Sequence, residues 1–269
     1  MKQVSVFLDF KEWLTFRTKQ FASITLIILG IFSAGLFFLP LTARLAYAVI
    51  FTALTMVPVH STLSMVTGSI ATQVQVALYG RKHKPRVEVW PEVKEMAKRM
   101  GIKHSGEVFV TSNPAVHNAF VNLYTKKITV SESWIKQFHR AETTATIGHE
   151  LGHIKGQKRL VGEMCAIMLG SLGFVFCFSF VTLSLGLPVI PIFLQITTFT
   201  LMFLLLSFVL WRNEYRADLE GARATSPEAL IAVFEGLLGN QRKENKKDYG
   251  SETHPPLHSR IERLKCLLV

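Results

Sequence analysis

The fold is decided by the stretch His149-Glu150-Leu151-Gly152-His153, which sets two histidines four residues apart. Residues at this spacing lie one above the other on the same face of an α-helix. His149 and His153 can therefore both offer a ring nitrogen to one Zn²⁺, at about 2.0–2.1 Å from each. Glu150 lies a step around the helix, where it suits a metal-bound water whose pKa zinc lowers to about 7. The pattern predicts a zinc site with a base beside it, although a solvated helix can match it by chance.

A catalytic zinc site also needs a third protein ligand, and it keeps one position open. One class of zinc proteases supplies a third histidine in the pattern His-Glu-x-x-His-x-x-Gly-x-x-His. Gly156 fits this pattern, but Arg159 occupies the position of the histidine, which excludes that class. A second class takes a Glu from a downstream helix, with an Asp four residues later that holds a ligand histidine. Glu214 and Asp218 have this spacing, and the alternative for Glu214 is an exposed acid among neighbouring arginines.

Four long stretches without charged residues predict membrane-spanning helices. They cover residues 21–39, 45–70, 165–185 and 187–211. Each is long enough to cross a hydrocarbon layer about 30 Å thick, and short turns join them into two hairpins. A soluble protein can bury one such helix, but four of them indicate a membrane protein. His60, in the second stretch, either lines a polar path or hydrogen-bonds a neighbouring helix.

Basic residues orient these helices. Lysines and arginines flank both hairpins at the ends opposite their connecting turns, and Arg44 alone lies in a turn between paired helices. The positive-inside rule then puts the chain termini and both zinc-binding segments in the cytoplasm. The net charge of +11 needs no nucleic acid as a partner, because a basic face against anionic lipid headgroups explains it.

The part outside the membrane has its own secondary-structure signals. The pattern predicts an amphipathic helix at 91–100, a strand at 106–111 and a hairpin of 119–121 with 127–130. Ser131 and Glu132 mark a helix start, and a helix at 141–157 carries the zinc histidines. The two soluble pieces are short on their own, so we expect them to share one core.

Four motifs follow one another along the chain. They are Asn118-Ala119-Phe120, the stretch 149–153, Glu214 with Asp218, and His254-Pro255-Pro256-Leu257-His258-Ser259-Arg260-Ile261-Glu262-Arg263-Leu264. Two predicted membrane helices precede them and two more interrupt them. This order resembles the HtpX family of membrane zinc endopeptidases, related to the CAAX prenyl endopeptidases and the mitochondrial Oma-type proteases. The resemblance covers nearly the whole chain, but Val121-Asn122-Leu123 stands where the family often has Ala-Thr-Gly.

The resemblance implies one zinc ion per subunit. Its ligands would be His149, His153 and Glu214, with Glu150 as the general base. Asp218 would orient a ligand histidine through the second ring nitrogen.

The resemblance also implies roles for residues outside the metal ligands. His254 would stabilise the developing oxyanion, and its alternative is a turn residue before two prolines. Arg260 would support the site or the fold. Asn118 and Ala119 would lie on an edge strand, along which an extended substrate pairs by main-chain hydrogen bonds.

We therefore predict an α+β polytopic membrane protein. Four transmembrane helices in two hairpins anchor a mainly helical, gluzincin-like zincin domain with a small β-sheet. The segments are a cytoplasmic N-terminal segment (1–20), a first transmembrane hairpin (21–72), a first part of the protease domain (73–164), a second hairpin (165–211) and a second part of the protease domain (212–269).

The predicted activity is hydrolysis of peptide bonds by zinc-activated water, at a cytoplasmic site of a multi-pass protein in the cell (inner) membrane. The resemblance implies misfolded or damaged membrane proteins and unfolded polypeptides as substrates, in quality control under stress. Two alternatives share the ligands: a prenyl-protein processing endopeptidase, and a catalytically silent, zinc-stabilised membrane adaptor. Charged residues around the histidine helix, such as Glu142 and Lys155, argue against an intramembrane protease.

Overall fold

The structure is a computed structural model, and it describes residues 85–112, 117–123, 125–184, 190–243, 248, 250 and 253–268. The predicted N-terminal segment, the first predicted hairpin and His60 lie outside the described residues. The chain divides into two compact units. Among the described residues, Met164–Phe208 belongs to the first unit, and the second unit contains Gly68–Glu163 and Val209–Val269. The five segments predicted from the sequence remain a prediction.

The second unit contains a mixed β-sheet, with four strands among the described residues in the order β1-β2-β4-β3. The strands are β1 (Arg86–Val89), β2 (Glu107–Thr111), β3 (Ala119–Val121) and β4 (Ile128–Ser131). β1 and β2 are antiparallel, β2 and β4 are parallel, and β3 is antiparallel to β4. The predicted strand at 106–111 and the predicted hairpin are thereby confirmed, while β1 is an addition.

Alternate residues of the sheet face the core. Val108, Val110, Ile128 and Val130 are buried, as expected for a sheet with one covered face. β3 is the last strand in the order, and no other strand of the described residues pairs with its outer edge. The edge strand predicted around Asn118 and Ala119 is therefore present, as β3 with the residue before it.

Helices make up most of the described residues. They are α1 (Pro91–Arg99), α2 (Glu132–Gln137), α3 (Arg140–Ser184), α4 (Ile190–Ala224), α5 (Pro227–Lys243) and α6 (Leu257–Lys265). The predicted amphipathic helix is α1, which buries Val93, Met96 and Ala97. Ser131 caps α2, because its hydroxyl accepts the backbone N–H of Trp134, and this satisfies one of the unpaired donors of the first turn.

α3 and α4 approach each other closely within the second unit, where small residues face one another. A Cβ on Gly152 would come within 2.8 Å of the backbone of Ala217. A Cβ on Gly221 would come within 2.6 Å of the backbone nitrogen of His149. Side chains would keep the two backbones apart at these positions, so glycine is what allows the helices to meet at the level of the histidines.

Of the described residues, one helical stretch, Arg140–Phe178, is long and apolar enough to cross a membrane. Within α3, large apolar side chains remain exposed over several turns, including Leu169, Leu172, Phe174, Phe176 and Phe178. An exposed apolar surface of this size suits a hydrocarbon environment better than water. The stretches predicted at 165–185 and 187–211 fall in α3 and α4, apart from residues 185 and 187–189, which are not described. The total of four membrane helices remains a prediction.

Candidate metal centre

Three side chains from two helices meet at the proposed metal centre. His149 and His153 lie on α3, and Glu214 lies on α4. The Nε2 atoms of the two histidines are 3.1 Å apart, and Nε2 of His153 is 3.3 Å from a Glu214 oxygen. One ligand atom from each of the three residues lies within 4.8 Å of the others. The structure thus brings together the three ligands predicted from sequence segments sixty residues apart.

The chemistry of this set suits a zinc ion. Two imidazole nitrogens and one carboxylate are the protein ligands of one well-known type of catalytic zinc site, which leaves a fourth position for water or substrate. Oε2 of Glu214 is buried and accepts no hydrogen bond. A buried carboxylate oxygen without a donor is costly in a protein interior, and a metal cation would remove that cost. The residues present therefore fit the metal.

The second ring nitrogen of His149 has a carboxylate partner. Nδ1 of His149 is 2.9 Å from Oδ1 of Asp218, and both side chains are buried. The Nδ1–H donates to this oxygen, so the lone pair of the imidazole is on Nε2, the nitrogen that faces the other two ligands. Asp218 has the position relative to the ligand histidine that was predicted for it.

Arg260 connects α6 to the same carboxylate. Its guanidinium donates to both oxygens of Asp218, with distances of 2.8 and 2.6 Å. The same group lies 3.4 Å from Oε2 of Glu214. Because two parallel hydrogen bonds set both distance and angle, this pair holds Asp218 against His149. Arg260 is thus next to the predicted ligands although it lies about a hundred residues from the histidines in sequence.

Paired charges determine the ionisation of the centre. Burial disfavours the charged form of Asp218, but Arg260 outweighs this effect and lowers the pKa of the carboxyl. Burial also acts against Glu214, whose pKa nevertheless lies well below its usual range because of the neighbouring His153. Burial alone would lower the pKa of His153, but Glu214 outweighs it and raises the pKa to about 9. Both carboxylates are therefore anionic at neutral pH.

The carboxylate of Glu150 reaches the sheet. Its Oε2 accepts the backbone N–H of Val121, at 3.0 Å. Val121 belongs to β3, so this bond joins the predicted base to the predicted substrate strand. Val121 was not predicted as a site residue, and a backbone donor leaves no signal in the identity of its side chain.

The outer edge of β3 has two backbone groups of interest. In an antiparallel pair, alternate residues point their N–H groups away from the partner strand. The carbonyl of Asn118 accepts the N–H of Ser131 in β4, and the N–H of Asn122 donates to Lys127 just before β4, so Ala119 and Val121 are the residues whose N–H groups point outward. The N–H of Ala119 is accepted by Oδ1 of Asn118 at 2.9 Å. Asn118 and Ala119 thus lie at the outer edge of the sheet, as predicted.

His254 comes near the centre from the segment before α6. Its Nε2 lies 3.8 Å from Oε1 of Glu214, and 59% of its side chain is exposed. Glu214 favours the charged form of this imidazole, but partial desolvation of the ring by the neighbouring side chains and the charge of Arg260 outweigh it and lower the pKa of His254. A neutral imidazole at the open side of the centre can donate one hydrogen bond to a substrate oxygen.

Asn213, which was also not predicted, contacts the other ligand histidine. Its amide lies 2.9 Å from Nδ1 of His153, and the residue is buried. The signal was present in the sequence, since Asn213 directly precedes Glu214. The role of Asn213 can be recognised only once it is known that α3 and α4 cross beside His153.

The model of peptidase family M48 matches residues 84–267, which is more than half of the chain. A protease HtpX homolog of Archaeoglobus fulgidus is 33% identical over 162 residues, which cover 56% of this chain and 46% of that relative. The chain thus spans less than half of that relative's length.

Two bacterial relatives match over longer regions. Protease HtpX of Hahella chejuensis is 25% identical over 286 residues, which cover 90% of this chain and 93% of the relative. Protease HtpX of Ectopseudomonas mendocina is 28% identical over 222 residues, which cover 68% of this chain and 74% of the relative. The matched region of the family model includes α3, α4 and α6, the helices that carry the centre.

Proposed function

Because this chain belongs to peptidase family M48, as an HtpX-like metalloendopeptidase, we propose that it is a zinc-dependent, membrane-anchored endopeptidase that cleaves misfolded or damaged membrane proteins. The observation that carries this proposal is the convergence of His149, His153 and Glu214, with the Glu150 carboxylate one residue from a ligand. Its named relatives are proteases, which does not favour the prenyl-protein or the adaptor alternative.

The metal would be one Zn²⁺ per subunit, held by His149, His153 and Glu214. Bound zinc would supply a Lewis acid that polarises the scissile carbonyl and makes water nucleophilic at neutral pH. Asp218 keeps His149 in the tautomer whose Nε2 lone pair is free, and Arg260 holds Asp218 in place. These two residues organise the centre without touching substrate.

Glu150 is the group that moves protons in the proposed reaction. Its carboxylate takes a proton from the attacking water as the new C–O bond forms. The same proton then goes to the amide nitrogen as the peptide bond breaks, which releases an amine and a carboxylic acid that ionises in water. His254, whose side chain is partly exposed beside the centre, would donate a hydrogen bond to the carbonyl oxygen, which becomes negative between the attack of water and the breaking of the peptide bond.

β3 would bind the substrate main chain. An extended peptide added along its outer edge would find the N–H groups of Ala119 and Val121, which now bond to Asn118 and Glu150. Such a peptide competes with Glu150 for the Val121 N–H, so binding would release the base toward the scissile bond. Main-chain pairing tolerates many sequences, which suits an enzyme for unfolded segments.

The location follows from charge and length. We propose that the chain crosses the cell membrane four times, with both termini and the centre on the cytoplasmic side. The long apolar surface of α3 supports an apolar environment for residues 165–181. The lysines and arginines at the ends of the predicted hairpins support the orientation.

Replacing the Glu150 carboxylate by an amide tests the mechanism. Glu150→Gln keeps the side-chain shape and the three ligands but cannot accept the proton. We expect zinc content to be unchanged and cleavage of an unfolded membrane substrate to fall by about 10²–10⁴-fold. The measurement uses the full chain in detergent, with zinc determined by elemental analysis and cleavage followed on gels.

The matched control is Glu235→Gln, the same change at an exposed position of α5. This variant should cleave like the unchanged protein. Normal cleavage by Glu150→Gln would rule out Glu150 as the base, and loss of cleavage by both variants would point to a defect of folding.

A further inference from the structure

The two ligand histidines have different partners at their second nitrogen. For His149 the partner is the carboxylate of Asp218, at 2.9 Å. For His153 it is the amide of Asn213, also at 2.9 Å. Asn213 is 6% exposed and directly precedes the ligand Glu214 on α4. The Nδ1 atom of each histidine in α3 thus contacts one polar side chain of α4.

The backbone of α3 makes room for the Asn213 amide. A Cβ on Gly156 would lie 3.2 Å from Oδ1 of Asn213, a tighter approach than most side chains tolerate. The amide therefore lies between the Gly156 backbone and the imidazole of His153. At this position the amide fits in two orientations of equal volume, which differ by the half-turn that exchanges its oxygen and its nitrogen.

The chemistry of His153 selects one of these orientations. Its Nε2 faces the other ligands, 3.1 Å from Nε2 of His149. A neutral imidazole that offers Nε2 to a metal carries its proton on Nδ1, so the partner of Nδ1 must be an acceptor. Of the two ends of the Asn213 amide, only the oxygen accepts. The half-turn that exchanges Nδ2 for Oδ1 satisfies this requirement.

We propose that Asn213 is a positioning residue of the metal centre, whose amide oxygen accepts the Nδ1–H of His153 and thereby keeps the Nε2 lone pair directed at the metal. This inference rests on the zinc site proposed above. It assigns a function to a residue that touches neither substrate nor metal. The partner of a ligand histidine typically contributes 10–100-fold to metal affinity.

Two substitutions test whether Asn213 acts as a hydrogen-bond acceptor, as a donor or only by filling space. Asn213→Leu has a similar volume but no acceptor, so the Nδ1–H loses its partner. Asn213→Asp keeps the acceptor and removes the donor. If the amide oxygen is the functional atom, aspartate at position 213 preserves zinc binding. If the NH₂ group is the functional one, aspartate weakens zinc binding as leucine does.

The measurement is the zinc dissociation constant of the full chain in detergent, by competition with a chromophoric chelator. The absorption spectrum of the Co²⁺-substituted protein reports the ligand geometry separately. We expect Asn213→Leu to bind zinc about 10–100-fold more weakly, and Asn213→Asp to recover most of this loss. Asn240→Leu, the same change at a half-buried position near the end of α5, should leave the dissociation constant unchanged.

Three results would overturn the inference. One is an Asn213→Leu variant that binds zinc as tightly as Asn240→Leu does. The second is a folded Asn213→Asp variant that binds zinc as weakly as Asn213→Leu; this arm also decides the matter if the leucine variant does not fold. The third is an unchanged chain that takes up no zinc, which refutes the proposed zinc site as well. Zinc uptake without proteolysis in the unchanged chain would contradict only the proposed enzyme.

Discussion

At the scale of single residues, the centre depends on which charges are paired. Asp218 and Arg260 form a buried, two-bond ion pair, and removing one partner of such a pair costs about 3–5 kcal/mol. Glu214 has a different environment, because its Oε2 has no hydrogen-bond donor. Both oxygens of Asp218 thus accept hydrogen bonds from Arg260, whereas Glu214 has a longer ion pair with Arg260 and keeps one oxygen that can bind a cation.

Zinc binding should release a proton at neutral pH. Because the pKa of His153 is about 9 when Glu214 is its neighbour, this imidazole is charged below that pH and must lose a proton before Nε2 can bind. We expect release of about one proton from His153 near pH 7.5, and zinc affinity that rises roughly tenfold per pH unit up to about pH 9. Titration calorimetry in two buffers with different ionisation enthalpies measures this release.

The same raised pKa predicts the pH dependence of stability without zinc. The pKa of His153 is about 9 in the folded protein and about 6.5 in the unfolded chain. Its charged form therefore stabilises the fold fully below about pH 6.5, and this contribution is lost as the pH rises from about 6.5 to about 9. The zinc-loaded protein should not show this loss. Zinc binding without any proton release at pH 7.5 would contradict the pairing of His153 with Glu214.

At the scale of elements, the crossing of α3 and α4 positions the ligands. Ligands from two helices can converge only if the backbones are close, and Gly152 and Gly221 allow this approach. The spacing that puts two histidines on one face of α3 also puts glycines beside them. The stretch 149–153 thus contributes to the packing of the helices as well as to the metal.

Gly221→Ala should disturb the centre through packing alone. The added Cβ would lie 2.6 Å from the backbone nitrogen of His149, a distance that forces the helices apart. We expect a loss of about 1–3 kcal/mol in stability and weaker zinc binding, because Glu214 moves with α4. Thermal unfolding with and without zinc measures both effects.

Gly239→Ala is the matched control for this substitution. Gly239 lies in α5, where a Cβ would meet nothing within 4 Å. Alanine at such a helical position should stabilise the protein by about 0.4–1 kcal/mol and leave zinc binding as it was. If both alanine variants behaved alike, the close crossing would have no influence on the metal centre.

Some elements follow from the sequence more readily than others. α1 has apolar residues at helical spacing, and β2 has a run of strand-forming residues, so both were predicted. β1 was not, because Arg86-Val87-Glu88-Val89 is short and neither of its valines is buried. Its pairing with β2 supplies the main-chain bonds that define it, and such a partner cannot be read from a short local pattern.

At the scale of the whole molecule, the centre is built from segments that are far apart in the chain. The ligands on α3 and α4 are separated in sequence by the most apolar part of the described residues. An even number of membrane crossings in that part is needed if both segments are to lie on one side. The two predicted helices at 165–185 and 187–211 meet this requirement.

Cysteine labelling tests the predicted topology. Cys266 is exposed near the C-terminus, which is predicted to be cytoplasmic. In intact cells, a membrane-impermeant maleimide should leave Cys266 unlabelled, and it should label Cys266 after lysis. In a Cys266→Ser background, Ala43→Cys in the predicted outer turn should be labelled without lysis. Labelling of Cys266 in intact cells would contradict the cytoplasmic site.

The sequence by itself determined the predicted ligand types, the predicted base and the apolar stretches, because helical spacing and hydrophobic length are local properties of the chain. The predicted ligand set His149, His153 and Glu214 could be written down before any contact was known. Only the tertiary structure decided the rest: the bond from Val121 to Glu150, the bond of Asn213 to His153 and the two-bond pair of Arg260 with Asp218. These contacts depend on how closely two helices cross and on which strand lies beside them, and these distances are properties of the packed chain.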